Sequence, residues 1–320
     1  MIVTAEDPPR SAIALRCAGL VKRYADVVAV NGLDLEVHTG ECFGLLGPNG
    51  AGKTTTIEIL EGLTRHDSGD VEVLGHRWGR GDEALRQRLG IQLQETQLND
   101  KLSVEETLRL FRSFYDRGRS TDEVLGIVEL ESKRTAWVGK LSGGQKQRLA
   151  LAAALVGNPE VLFLDEPSAG LDPQSRQLVF ELISELRNSG MGIVLTTHLM
   201  DDAQRLADYV YIIDAGRNVA EGTVAQLLQH PLPPEAGEQH IRTLLFEADP
   251  GLDFAGVLPD GVDITEARAG SYAATGALTP ADLAAITAWW AARGIMPRSL
   301  SLEARSLEDV FLDISGREIR

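Results

Sequence analysis

The chain has 320 residues, of which 43% are hydrophobic and 24% are charged, and its formal net charge at pH 7 is −16. This length predicts about two domains, and the ordinary apolar fraction predicts a large buried core instead of disorder. The excess of acidic residues disfavours nucleic acid as a partner, because such binding depends on Lys and Arg side chains that neutralise phosphates.

Two further features bear on where the chain works. No apolar run approaches the ~18 residues that a membrane helix needs. Residues 1–12 include acids and two prolines where a signal peptide would have a basic and then an apolar segment, so we expect a disordered N-terminus and a soluble cytoplasmic chain.

Cys17 and Cys42 lie in strand-like runs. They are open to two interpretations, a disulfide or, as a reducing cytosol favours, two buried free thiols.

The chain begins with strand-like segments. Apolar runs separated by the turn pairs Asn-Gly at 31–32 and Thr-Gly at 39–40 predict an antiparallel lead-in. The residues alone leave open whether Tyr24 is a half-buried sheet aromatic or a ligand contact. The predicted strands cover residues 13–17, 20–24, 27–30 and 33–37.

A glycine-rich segment lies between a short apolar run and the start of a helical pattern. It reads Gly47-Pro48-Asn49-Gly50-Ala51-Gly52-Lys53-Thr54-Thr55, and Gly-x-x-x-x-Gly-Lys-Thr between a strand and a helix is the phosphate-binding P-loop. The glycines allow positive φ and bring backbone N–H groups close to phosphate oxygens, and the helix N-terminus favours the same anion. Lys53 is predicted to reach the β- and γ-phosphates, and Thr54 to offer a hydroxyl to Mg²⁺.

Helical patterns dominate residues 84–157, which we predict to be a helical insertion. Ser103 and Glu106 have the spacing of a capping box at the start of one of its helices. Ser142-Gly143-Gly144 precedes another helix, and read alone this triplet is an ordinary helix cap. Next to the motifs described below, it becomes a candidate for a second anion site.

Two predicted buried strands are followed by side chains that are candidates for catalysis or metal binding. Residues 161–164 are wholly apolar, as in a strand buried on both faces of a parallel sheet, and Asp165-Glu166 follows at the end where open α/β sheets bind ligands. Asp165 is predicted to hold Mg²⁺ directly or through water, and Glu166 to act as general base on the attacking water. The alternative is a solvated turn that caps the next helix.

His198 ends the second of these strands, at the same predicted edge of the sheet. A lone histidine usually has a structural or surface role, but this position makes contact with a γ-phosphate a reasonable hypothesis. A helix over 174–188 is predicted between the two strands, and a helix over 200–207 and a hairpin over 209–220 after them.

These motifs together resemble the ATP-binding subunit of an ABC (ATP-binding cassette) transporter, over about residues 13–229. Tyr24 falls where the family stacks an aromatic ring on adenine. The other matches are residues 47–54 with Walker A, Gln94 with the Q-loop, 141–145 with the signature sequence, 161–166 with Walker B, 168–172 with the D-loop and His198 with the switch histidine.

The resemblance implies an α/β fold, with a P-loop ATPase core that has a mixed sheet, an antiparallel β lead-in and a helical subdomain. It also implies ATP and Mg²⁺ as ligands, with the metal held by Thr54, Gln94 and Asp165. ATP hydrolysis would depend on Glu166, His198 and Gln94.

A further implication of the resemblance is that two such domains pair head to tail. ATP would lie between the P-loop of one domain and the signature residues Ser142, Gly143, Gly144 and Gln145 of the other. The second domain would be another copy of this chain or a related cassette. A separate membrane permease would couple to the helical insertion near Gln94, which would place the chain at the cytoplasmic face of the cell membrane.

The C-terminal part is predicted to be a second domain. Residues 230–239 have the composition of a linker, and the predicted order β-α-β-β-α-β over 240–320 suggests a ferredoxin-like α+β domain. Its first helix is predicted over 252–257, and Trp289 and Trp290 are assigned to its core. Residues 306–312 look like the end of accessory domains on bacterial drug and antibiotic exporters with ABC-2-type permeases. A dimer brace, a regulatory ligand site and simple stabilisation are all open as its role.

The resulting hypothesis is an ATP-hydrolysing subunit that powers export of a drug, antibiotic or other hydrophobic compound through a separate permease. Export of lipid or polysaccharide is one alternative. A soluble ABC ATPase without a transport function is another, which the single P-loop, the lack of sustained heptads and the acidity disfavour.

Overall fold

The computed structural model describes residues 12–79, 82–93, 96–228, 242–254, 262–276, 278–304 and 306–315. They form two compact units, of which the first runs up to Val224 and the second begins at Ala225. The domain limits predicted from composition, 13–229 and 240–320 with a linker over 230–239, fall partly on residues outside the described ranges and stay a prediction.

The first unit alternates strands and helices along the chain. Its elements are β1 (Ile13–Tyr24), β2 (Val27–His38), β3 (Cys42–Leu46), α1 (Lys53–Leu60), β4 (Ser68–Val73), α2 (Asp82–Arg86), β5 (Leu89–Gln92), α3 (Val104–Arg112), α4 (Thr121–Ile127), α5 (Gly143–Leu155), β6 (Val161–Asp165), α6 (Pro173–Asn188), β7 (Gly192–Thr197), α7 (Met200–Leu206), β8 (Tyr209–Asp214) and β9 (Arg217–Thr223); α8 (Val224–Leu228) follows at the boundary between the units.

The predicted antiparallel lead-in is present as the pair β1 and β2, and β4, from beyond the P-loop helix, joins it in a three-stranded antiparallel sheet of order β2-β1-β4. The four short strands predicted before the P-loop are instead two long ones, and Asn31-Gly32 lies within β2 and forms no turn between strands. The cause is a set of bulges between β1 and β2, which shift the register near Leu20. Gly32 has a φ of +77°, the conformation for which a bulged strand uses glycine.

The central sheet has six strands in the order β5-β6-β7-β3-β8-β9. The pairs from β5 through β8 are parallel, and only the β8–β9 hairpin at one edge is antiparallel. All residues of β3, β6 and β7 are buried, which explains their continuous apolar sequence. Because these three strands are neighbours, the segments that follow them meet at one edge of the sheet.

The helical part has well-defined helix starts. Ser103, Ser120 and Ser142 each cap a helix and complete a capping box with the residue three positions later. The predicted insertion over 84–157 contains β5, which is hydrogen-bonded to β6 within the central sheet. The helical part therefore begins after Gln92.

The second unit is built on a four-stranded antiparallel sheet in the order β11-β12-β10-β13. This is the strand order of a ferredoxin-like sheet; the first predicted helix falls mostly outside the described residues, and residues 252–254 are not helical. The elements are β10 (Arg242–Glu247), β11 (Val262–Arg268), β12 (Ser271–Gly276), α9 (Pro280–Arg293), β13 (Ser299–Ala304) and α10 (Leu307–Ser315).

Aromatic side chains form the core of the second unit. The Phe246 ring lies 5.1 Å from that of Tyr272 and 4.9 Å from that of Trp290, centroid to centroid. Trp290 is buried, as predicted, and Trp289 packs partly buried against Phe254 at 4.5 Å.

The two cysteines are free and buried, so the free-thiol interpretation is correct. Burial raises the pKa of both the Cys17 and the Cys42 thiol to about 12. Within the described ranges, no helix combines the length and the hydropathy that crossing a bilayer requires.

The aromatic core predicts a local effect of Phe246→Ala. Phe246 is 1% exposed, so its truncation should destabilise the second unit by roughly 3–5 kcal/mol. Hydrogen exchange of the β10 and β12 amides measures this loss. Leu300→Ala is the matched control, because Leu300 pairs with Phe246 across the sheet but is 56% exposed, and a change below about 1 kcal/mol is expected. Equal losses in both variants would contradict a core centred on Phe246.

Candidate functional site

The P-loop connects β3 to α1 through three glycines with positive φ. Gly47, Gly50 and Gly52 have φ of 152°, 80° and 100°. A Cβ at Gly47 would lie 2.2 Å from the carbonyl oxygen of Ile213, and a Cβ at Gly52 the same distance from that of Ala29. The loop thus needs glycine for close approach to neighbouring strands as well as for its backbone conformation.

Lys53 is the first residue of α1 and folds back over the loop. Its Nζ donates hydrogen bonds to the carbonyl oxygens of Gly47 at 2.8 Å and Pro48 at 3.1 Å. The side chain is buried, and burial lowers its pKa while the charges of Glu166 and Asp165 oppose that shift. Both of these acceptors are neutral, and a charged phosphate oxygen would be a stronger acceptor for the ammonium group.

The two carboxylates predicted at the end of β6 are both buried, with 4% of Asp165 and 7% of Glu166 exposed. Burial raises the pKa of Asp165, and the Thr196 hydroxyl donates a hydrogen bond to its Oδ1. The backbone N–H of Glu166 donates to Thr196 at 3.2 Å. Glu166 has a φ of +52°, a costly conformation for a residue with a side chain and one that clusters at functional sites.

His198 follows β7 and contacts Glu166 directly. Its Nδ1 lies 2.6 Å from the Glu166 Oε2, a hydrogen-bonding distance across the gap between two adjacent strands. With Nδ1 engaged in this way, Nε2 is the ring nitrogen left for a ligand. Here the structure brings together four predicted residues, Lys53, Asp165, Glu166 and His198, at one edge of the sheet.

The signature segment lies at the N-terminus of α5, away from these contacts. Ser142 accepts a hydrogen bond from the N–H of Gln145 at 3.3 Å, and the Gln145 side chain accepts one from the N–H of Ser142 at 3.0 Å. Ser142 and Gly143 are exposed, and a Cβ at Gly144 would lie 2.3 Å from the Ser175 hydroxyl. Among the described residues, no hydrogen bond joins this segment to residues 47–55.

Two other predicted residues stand apart. Tyr24 ends β1, is 46% exposed, and has the Lys22 ammonium 5.2 Å from its ring centroid. Because the side chain is exposed, Tyr24 is free to contact a ligand, which is one of the two roles that the sequence left open. Gln94 lies outside the described residues.

Sequence reasoning missed two residues near the carboxylates. Thr196 is fully buried and contacts both Asp165 and Glu166; its signal was a pair of polar residues, Thr196 and Thr197, at the end of an apolar strand. Glu61, at the end of α1, is 1% exposed and neither of its carboxylate oxygens has a hydrogen-bond partner. Burial, with smaller effects of the Asp165 and Glu58 charges, raises the pKa of Glu61 to about 8.

The residues present fit a nucleoside triphosphate with a divalent cation. The loop that admits no side chain at Gly47 or Gly52 can hold phosphate against backbone N–H groups. The Thr54 side chain is exposed at the first turn of α1, so its hydroxyl is open to a ligand. A hydroxyl and the Asp165 carboxylate are oxygen donors of the kind that Mg²⁺ uses together with substrate phosphates.

Sequence comparison finds that the chain is similar to ATP-binding proteins of ABC transporters. Residues 30–169 match the family model described as ABC transporter. Nod factor export ATP-binding protein I of Ralstonia nicotianae is 37% identical over 330 residues, covering 98% of this chain and 99% of that protein. The protein of the same name from Cupriavidus pinatubonensis is 37% identical over 318 residues, covering 93% of this chain and 90% of that protein.

Solved structures are similar to about two thirds of the chain. A structure described as the ATP binding subunit of an ABC transporter has a TM-score of 0.61 and 30% identity, covering 67% of this chain and 91% of its own. The dimeric structure of a bacterial ABC transporter cassette has a TM-score of 0.60 and 26% identity, covering 65% of this chain and 98% of its own. These likenesses confirm the predicted α/β fold with its mixed sheet and helical part.

The buried Glu61 predicts a pH-dependent gain of stability in Glu61→Gln. The folded-state pKa of about 8 lies above the ordinary 4.5, so the folded chain binds more protons than the unfolded chain between these values. Wild-type stability therefore falls as pH rises from about 4.5 to about 8, by at most about 1.4 kcal/mol per pH unit. Chemical unfolding at pH 5 and at pH 8 should show near-equal stability at pH 5 and a more stable variant at pH 8.

The matched control for this prediction is Glu58→Gln, one turn earlier on α1. Glu58 is half-buried, and its Oε2 accepts a hydrogen bond from the Thr64 hydroxyl at 3.0 Å. A pH-independent difference between Glu61→Gln and wild type, or the same pH trend in Glu58→Gln, would contradict the burial argument.

Proposed function

Because the chain belongs to the ABC transporter family, as an ATP-binding subunit that hydrolyses ATP with Mg²⁺, we propose that it powers export of a compound through a separate membrane permease. The observation that supports this most directly is the pair of Glu166 and His198. Their side chains are 2.6 Å apart at the edge of the sheet where the P-loop also lies.

This pair is proposed to activate the attacking water. Glu166 is the general base, since its carboxylate can accept a proton from a water held at the end of β6. His198 orients that carboxylate through Nδ1 and contacts the γ-phosphate through Nε2. Gln94 is proposed to assist at the same place, as the resemblance implies.

The P-loop is proposed to hold the phosphates. Lys53 exchanges its carbonyl partners for β- and γ-phosphate oxygens, and residues 47–55, except Pro48, supply backbone N–H donors. Thr54, Asp165 and Gln94 are the proposed ligands of Mg²⁺, which when bound neutralises charge on the phosphates. Tyr24 is proposed to stack on adenine through its exposed ring.

A second copy, or a related cassette, is proposed to complete the site. Ser142, Gly143, Gly144 and Gln145 would contact the ATP held by the partner's P-loop. Two observations support this assignment: Ser142 and Gly143 are exposed at a helix N-terminus, and one of the similar solved cassettes is a dimer. The Gln145 side chain also accepts a hydrogen bond from the N–H of Ser142, so Gln145 would orient Ser142 toward that ATP as well.

The exported compound is proposed to be a drug, an antibiotic or another hydrophobic molecule. The permease is proposed to be of the ABC-2 type and to hold the chain at the cytoplasmic face of the membrane, as the resemblance of residues 306–312 suggests. The relatives matched over nearly the whole chain are named for Nod factor export. The second candidate function is therefore export of a compound that is not a drug, such as a lipid or a polysaccharide.

Glu166→Gln tests the assignment of the general base. The amide cannot accept the proton, so kcat for ATP hydrolysis should fall by roughly 100-fold or more, while affinity for ATP stays within about twofold of wild type. Phosphate release and nucleotide titration measure the two quantities. Glu160→Gln is the control, since Glu160 precedes the opposite end of β6, where it pairs with Arg88 at 2.6 Å, and its kcat should be unchanged. Full turnover in Glu166→Gln would contradict the assignment.

Purification of the chain from its native cells in detergent tests the transport role. A multi-spanning permease should copurify, and cells with Glu166→Gln in place of the wild type should accumulate the exported compound. Ribosomal or DNA-repair proteins in place of a permease would favour a soluble ATPase.

A further inference from the structure

A second contact joins the segments that hold Glu166 and His198. Ser168 lies two residues after Glu166 and is 3% exposed, and its hydroxyl donates a hydrogen bond to the Oδ2 of Asp202. Asp202 belongs to the first turns of α7, four residues after His198. The loops after β6 and β7 are therefore connected by two contacts, one between Glu166 and His198 and one between Ser168 and Asp202.

Arg176 completes this contact from a third element. Its guanidinium forms an ion pair with the other carboxylate oxygen of Asp202, and it stacks at 5.3 Å on the ring of Phe180 in the same helix, α6. Asp202 is 1% exposed, so its charge depends on these two partners for compensation. We name Ser168, Arg176 and Asp202 the Asp202 cluster.

The Asp202 cluster restricts the movement of the loops that follow β6 and β7. Ser168 cannot move away from α7 without leaving a buried carboxylate oxygen unpaired, which costs far more than an exposed contact does. Glu166 has a strained φ of +52°, a conformation that persists only where surrounding contacts determine it. The cluster provides such a contact two residues away.

We propose that Asp202 is a positioning residue for ATP hydrolysis, which holds the loop of Glu166 against the helix that follows His198. The proposal rests on the roles of Glu166 and His198 given above. Through Ser168 it holds the Glu166 carboxylate at hydrogen-bonding distance from the His198 imidazole, and through Arg176 it anchors both loops on α6. Asp202 touches no substrate.

A purely structural ion pair elsewhere between the same elements is available for comparison. Arg187, in the last turn of α6, pairs with Asp208, just after α7, at 3.3 Å. This pair and the Asp202 cluster both connect α6 with α7 or its end, but only the cluster reaches the loop of Glu166. Arg187→Gln is accordingly the matched control.

The test uses steady-state ATP hydrolysis by the full-length chain at saturating Mg²⁺. Ser168→Ala and Asp202→Asn should each lower kcat about tenfold and leave KM for ATP within about twofold of wild type, because they disturb the geometry of the reacting groups and leave the P-loop intact. The double variant should lose no more than the stronger single one, since both substitutions break one connection. Arg187→Gln should keep the wild-type kcat.

Thermal unfolding of each variant separates positioning from folding. Ser168→Ala removes a single oxygen atom, so it remains a folded test if Asp202→Asn does not fold. A loss of kcat in Ser168→Ala at a temperature well below its unfolding midpoint supports the proposal. A kcat loss in Arg187→Gln equal to that in Ser168→Ala would assign the effect to general loosening of α6 and α7 and overturn it.

Glu166→Gln, measured in parallel, separates the failure of this proposal from that of the proposed function. If Glu166→Gln is inactive while Ser168→Ala and Asp202→Asn keep kcat within about twofold of wild type, only the positioning role is wrong. If Glu166→Gln turns over at the wild-type rate, the assignment of Glu166 is wrong, and the positioning role fails with it.

Discussion

The burial of charge at the carboxyl edge of the central sheet is the constraint on which the rest of the structure depends. Lys53, Asp165 and Glu166 are 6%, 4% and 7% exposed, and an isolated charge with so little access to water would become neutral. The two carboxylates oppose the effect of burial on the pKa of Lys53. The Thr196 hydroxyl donates a hydrogen bond to the Asp165 carboxylate and accepts one from the backbone N–H of Glu166. The Lys53 ammonium and the two carboxylates therefore stabilise one another, although the Glu166 charge itself raises the pKa of Asp165.

The strand order brings these charges together. β3, β6 and β7 are neighbours and parallel, so the segments after them share one edge although they lie far apart in sequence. Each of the three strands is buried throughout, so a shift of register would move a polar residue into the core. The pairing of Asp165 with Thr196 is thus fixed by apolar packing, and the electrostatics of the site depends on that packing.

Much of this could be predicted from the sequence, because the signals were local. A glycine pattern defines the P-loop, an apolar run of four ending in two acids defines β6, and a serine followed three residues later by Glu or Gln defines a helix start. The bulges that merge the first four predicted strands into two could not be predicted, since they depend on pairing between β1 and β2. The inclusion of Leu89–Gln92 in the central sheet depends on β6 in the same way.

The contacts of Thr196 and Asp202 escaped prediction for a related reason. Both are ordinary polar residues in their own segments, and their importance comes from partners about 30 residues away that topology brings beside them. Ser168 lies in the segment matched to the D-loop, but nothing local indicates that its hydroxyl faces α7. Short motifs therefore identified the groups that react, and the groups that hold them in place became visible only in three dimensions.

Glu61 shows how far such a site can depart from the rule that buried charges are paired. It lies at the C-terminal end of α1, where the helix dipole is negative, with the charges of Asp165 and Glu58 acting in the same direction. Every one of these influences favours the protonated form, so at neutral pH the side chain is mostly neutral and the site holds one negative charge fewer than its composition suggests. That difference matters at Asp165, because an ionised Glu61 would be a further negative charge interacting with this carboxylate. An acidic residue kept neutral by burial thus costs stability at high pH, but at neutral pH it adds no repulsive charge to the surroundings of Asp165.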